Sequence, residues 1–145
     1  MKDTTNTILD PLTGQLRISD QLIVSKNISI DDIFNHYKTS EVEVWDVHNG
    51  FIHYTIRDVE LQNKFFFFSI CFFENDFHML TFGFKDRPGM ESWDDWSEAK
   101  ELQKKVEYDR WLDNEIGAQR FFPWGKTEAY YDSKGGGSGM VLRYT

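Results

Sequence analysis

From Phe65 to Phe73 the chain runs apolar with one interruption, Ser69, and six of the nine residues are phenylalanine. Side chains on a β-strand alternate between faces. Phe65, Phe67, Cys71 and Phe73 therefore share one face, and Phe66, Phe68, Ile70 and Phe72 share the other. An amphipathic strand leaves one face to water, but this one has no polar face to leave. It predicts a central strand, covered on both sides. At nine residues it falls far short of the ~20 needed for a helix to span a bilayer. Left uncovered it would be a template for aggregation, so a helix is expected to lie across the sheet.

The flanking segments read as the rest of an antiparallel meander. Val42, Val44 and Trp45 belong to a first strand, and Asn49-Gly50 is a strong hairpin signal. Phe51 to Leu61 returns as a second strand, Lys64 to Glu74 is the third, and Asn75-Asp76 turns the chain into a fourth over Phe77 to Phe84. Arg87-Pro88-Gly89 then breaks the pattern. Leu16 to Val24 gives two short strand-like pieces around Ser19-Asp20. In the tail, Trp124 to Tyr131 and Met140 to Tyr144 flank a glycine-rich turn from Ser133 to Gly139.

Two helices are expected. Ser29 can cap a short one, with Asp32 three residues on and Ile28 against Ile33 as a hydrophobic staple. Ile30, Ile33, Phe34 and Tyr37 form its buried stripe. The long one runs from a Ser92 cap, with Asp95 three residues on, to a stop at Gly117. At about 100° per residue, Ala99, Leu102, Val106, Leu112 and Ile116 share one face, while Trp93, Trp96, Tyr108 and Trp111 gather on roughly the opposite one. The expected fold is α+β: an antiparallel sheet of about five to six strands, with one long helix in the C-terminal half and one short N-terminal helix packed on it. The 145 residues make one domain, with residues 1–12 as a loose arm.

Charge narrows the function. A formal net charge of −8 argues against nucleic acid and anionic membranes, both of which require clustered Lys and Arg. It suits a basic protein partner. The single cysteine, Cys71, lies among phenylalanines and reads as a small buried hydrophobe. With no apolar run near Met1 resembling a signal peptide, a cytoplasmic location is expected.

The main candidate surface is the acidic set Asp86, Glu91, Asp94, Asp95, Glu98 and Glu101, with Trp93 or Trp96 as an aromatic anchor. Asp86 to Gly117 carries ten carboxylates and five cations. The plainer reading is a solvated helix whose acids favour its positive N-terminus by ~0.3–1 kcal/mol each. Glu41, Glu43 and Asp46 form a secondary acidic patch on the first strand. Other chemistry finds less support. Gly135 to Gly139 lies between strands rather than opening a helix, so it reads as a hairpin tip and not a phosphate loop. His36, His48, His53 and His78 lack the spacing of a zinc site, although His53 and His78 lie on strands that can both neighbour the third. No serine sits in a nucleophile elbow. No catalytic residue, metal or cofactor is assigned.

The C-terminal half also carries a resemblance. Trp93-x-x-Trp96-Ser97, Trp111-Leu112, Phe122-Pro123-Trp124-Gly125, Tyr131-Asp132 with Lys134-Gly135-Gly136, and the closing Val141-Leu142-Arg143-Tyr144 together resemble small immunity proteins of bacterial polymorphic toxin and contact-dependent growth inhibition systems. It covers roughly residues 93–144. The resemblance implies a small cytoplasmic protein without enzymatic activity. Such a protein binds a cognate toxin C-terminal domain, often a nuclease with a basic groove, and blocks its active site or substrate path. The rival expectation is a small ligand-binding or hydrolytic domain with a site in a cleft beside the sheet, marked by a ligand near His53 and His78.

Overall fold

The computed structural model describes residues 7–89 and 93–145, apart from the side chain of Trp93. The chain is α+β. A seven-stranded antiparallel sheet is built from β3 (Glu43–Asp46), β4 (Phe51–Leu61), β5 (Lys64–Phe73), β6 (Asp76–Lys85), β7 (Phe121–Phe122), β8 (Gly125–Asp132) and β9 (Gly137–Tyr144), in the order β3-β4-β5-β6-β9-β8-β7. A two-stranded sheet pairs β1 (Leu16–Arg17) with β2 (Ile23–Val24). The helices are α1 (Ile30–His36) and α2 (Glu98–Ile116). The large sheet exceeds the expected five to six strands because the short β7 folds back on the start of β8.

β5 is interior, as the apolar run requires, but its two faces are not equally covered. Phe66, Phe68, Ile70 and Phe72 are fully buried. α2 sets Trp111 against Phe66 and Phe82, and α1 sets Phe34 edge-on to Tyr54, which meets Phe72. The β1–β2 unit closes the third side. Tyr144 packs on Phe77 and donates its hydroxyl to the carbonyls of Gly14 and Val24. Each such side chain removed from water contributes ~1.5–3 kcal/mol.

The opposite face corrects the expectation of cover on both sides. Phe65, Phe67 and Ser69 are only half-buried and Phe73 is exposed, with Cys71 alone fully enclosed. Cross-strand neighbours shield one another there: Phe51 meets Phe73 and His78, Trp45 stacks on His53, and Thr55 donates to Ser69. Aromatic rings are wide enough to cover their own sheet, so no second layer is needed.

α1 follows its expected design, with Ser29 and Asp32 exchanging both bonds of a capping box. α2 does not. The expected Ser92 cap lies outside the described residues. Trp93–Asp95 form a separate 3-10 turn, and the cap is Ser97, whose Oγ accepts from the Lys100 amide. The buried face comprises Glu101, Tyr108, Trp111 and Leu112, while Leu102 and Val106 are 44% and 49% exposed. Two wide aromatic rings bury more surface than Leu102 and Val106 would, and they set the rotation of the helix. Gly117 ends it as expected, at a positive φ of 84° that favours glycine.

Within residues 1–12, expected to be a loose arm, residues 8–11 are tied to the fold. Ile8 and Leu9 are buried, and both donate their amides to the carboxylate of Glu115. The Pro11 carbonyl accepts from the indole of Trp124.

Candidate functional site

The acidic start of α2 divides once its contacts are traced. Glu101, expected on the exposed face, is instead 8% exposed; it accepts from Ser138 Oγ at 2.5 Å and pairs with Lys104. Glu98 accepts from the Tyr131 hydroxyl at 3.2 Å. Trp96 donates its indole N–H to the Gly136 carbonyl at 2.6 Å, and a Cβ at Gly136 would touch that ring. Thus Trp96, Glu98 and Glu101 join α2 to the β8–β9 hairpin and hold the glycine turn against the helix. A carboxylate already bonded inward has little left to offer a partner.

Asp94 and Asp95 remain exposed on the 3-10 turn, and Asp86 is exposed just past β6. Asp86 and Asp95 line the same open cleft of about 950 Å³ beside α2. Lys85, Arg87, Lys100 and Lys104 line it too, so its charge is mixed rather than acidic. Lys100 donates to the Asp95 carbonyl. Glu91 lies outside the described residues, as does the side chain of Trp93.

The secondary patch stands differently. All four residues of β3 are exposed. Val44 is 56% and Trp45 65% exposed, high values for large apolar side chains on a strand. Glu43 receives a forked bond from Arg57 Nε, at 3.0 and 3.1 Å, on the neighbouring strand. Asp46 accepts from the His48 amide, and Glu41 caps the amide of Lys38. These bonds orient the carboxylates and leave them in solvent. β3 pairs with β4 on one side, and it ends the sheet. Sequence reading placed the acids here but missed that the strand is an edge. The available signal was its position: it follows a helix and leads into a hairpin, and the two short earlier strands pair with each other.

His53 and His78 do share a face, as their strands allowed. His53 Nε2 lies 3.8 Å from Cys71 Sγ. Burial holds both imidazoles below their usual range, helped for His53 by His78 and for His78 by Arg143. Burial also pushes the thiol up, against Arg143, which disfavours a reactive thiolate. Among the described residues no three His, Cys, Asp or Glu side chains are placed to hold a metal. No helix there is long and apolar enough to cross a membrane. Comparison with known proteins finds no matching family model, no similar curated protein and no similar solved structure.

Proposed function

We propose that this chain is an immunity protein: a cytoplasmic, stoichiometric inhibitor that binds the C-terminal domain of a cognate bacterial toxin and neutralises it by occlusion rather than catalysis. The observation that carries the reading is the combination at β3, where Val44 and Trp45 are exposed beside the exposed carboxylates Glu43 and Asp46 of the strand. Glu41, also exposed, lies not on the strand as expected but at the end of the 3-10 turn before it. Aromatic anchors supply much of the energy of protein interfaces, and surrounding charge sets encounter rate and orientation. A basic nuclease groove is a natural counterpart for such a surface. The exposed carboxylates Asp86, Asp94 and Asp95 add long-range attraction.

The test is co-purification with a candidate toxin C-terminal domain, sought in a neighbouring gene for a large secreted effector, followed by titration at low and high salt. A 1:1 complex whose association slows as salt rises is the expected result. Reversing Glu43 and Asp46 to lysine should slow association more than reversing Asp95 and Glu98. A toxin domain that passes through unbound at every salt concentration would overturn the proposal.

A further inference from the structure

The two large exposed side chains of β3 point in opposite directions. Trp45 stands opposite His53 and stacks on its ring, 5.4 Å between centroids, on the open face of the sheet. Val44 stands opposite Tyr54, on the face that carries α1. The acids divide the same way: Glu43 is level with Thr55 on the open face, and Asp46 is level with Ile52 on the other. A partner lying flat on either face would cover one apolar side chain and one carboxylate, leaving the second pair in water. A strand laid along the edge flanks both faces at once, and its amides and carbonyls can meet the outward-pointing ones of β3.

The rest of that edge is closed to such an addition. Beyond Thr55, where β3 has ended, β4 carries a bulge between Ile56 and Val59. Asp58 there sits at a φ of 55° and accepts from the Gly89 amide. Bulges twist an edge away from pairing. The straight part of the edge is therefore the four residues of β3.

Charge selects the occupant. From Thr39 to Val47 there are three carboxylates and no cation, and Arg57 of β4 offsets only one of them, through Glu43, so the edge keeps a negative balance. Pairing with a second copy of this chain would crowd six carboxylates and no cation of the paired segments along one short seam. Such like-charge crowding opposes a strand pair. An incoming strand with Lys or Arg at positions three apart would instead meet Glu43 on one face and Asp46 on the other, with apolar residues between them against Val44 and Trp45.

We propose that β3 is an acceptor edge for an extended basic strand of the partner protein, which joins the sheet as an eighth strand. This deepens the immunity reading and rests on its premise that the partner is basic. The test uses the full chain and a capped hexapeptide with lysine at its second and fifth positions and valine and isoleucine between them. Two control peptides accompany it, one with glutamate in place of both lysines and one with the same side chains but its backbone amides methylated. Binding is followed by amide shifts in ¹H–¹⁵N spectra. The expected result is shifts centred on residues 43–46 with the lysine peptide, weakened by about tenfold or more by methylation or by glutamate. If the methylated peptide binds as well as the parent, strand addition is overturned while attraction of basic partners stands. If the glutamate peptide binds equally, or the shifts centre on Asp86, Asp94 and Asp95, the acidic reading of β3 falls as well. Absence of any shift with the lysine peptide overturns the acceptor edge.

Discussion

The two ends of the seven-stranded sheet are finished in opposite ways. At one end, β7 pairs back onto the start of β8, the Arg120 carbonyl receives the Thr127 amide, and α2 lies across β8 and β9. Arg120 ties this loop to the helix through Asp113, Gly117 and Asp109. From Gly125 to Tyr131 no residue of β8 is exposed. At the other end, β3 has all four residues exposed, with a tryptophan and a valine in water. Open apolar edges invite unwanted pairing, and proteins usually blunt them. Here β7 closes only the start of β8 and leaves Phe121 66% exposed, whereas β3 offers a straight four-residue edge with two apolar side chains in water.

The largest effect that would sharpen this contrast comes from two tryptophans. Trp111 is 6% exposed, packs on Phe66, Phe82 and Phe84, and donates its indole N–H to Gln62 Oε1 at 2.8 Å. Trp111→Ala should cost about 3–5 kcal/mol in urea denaturation. Trp45→Ala, which gives up little more than its stack on His53, should cost about 0.5 kcal/mol or less. Equal losses would mean that β3 is part of the core.

A smaller difference separates the acids. Glu101→Ala strands the Ser138 hydroxyl in a half-buried site and should lower stability by about 1–3 kcal/mol. The same change at Asp46 should move the urea midpoint very little. If Glu101→Ala leaves stability unchanged, the carboxylate does not hold α2 to the hairpin. Smaller still is Thr127→Val on β8. The Thr127 hydroxyl is fully buried without a hydrogen-bond partner among the described residues. An isosteric methyl should stabilise by about 1 kcal/mol or less, which thermal unfolding would register as a raised Tm.

The open face predicts a pH effect. His53 and His78 are held below the usual imidazole range by burial, aided for His53 by His78 and for His78 by the Arg143 charge. The unfolded chain therefore takes up protons first as the pH falls through about 6.5, the unfolded value. Their contribution to stability is complete above that pH and is lost as pH falls through the lower folded values. Replacing both with glutamine should flatten the acid side of a plot of urea midpoint against pH, and an unchanged slope would place the proton uptake elsewhere.

Much of the fold was legible because local chemistry and tertiary packing agree. Asn49-Gly50 precedes β4, the Ser29–Asp32 box starts α1, and the phenylalanine run lies in the interior of the sheet. The helix rotation was not legible. Leu102 and Val106 are periodic with Leu112, and only the width of Tyr108 and Trp111 decides between the two faces. Nor could the inward turn of Glu101 be read, because its partner Ser138 lies thirty-seven residues away in sequence. The acids of β3 were visible as residues, but their importance depends on the strand's place in the sheet, which composition does not encode.

Hydrogen exchange on a complex with the proposed toxin partner tests the central claim most directly, because it reads backbone pairing rather than charge. The account predicts new protection of amides within residues 43–46, with no comparable change at residues 93–101. Protection confined to the start of α2, or unchanged exchange across β3 in a stable complex, would contradict it.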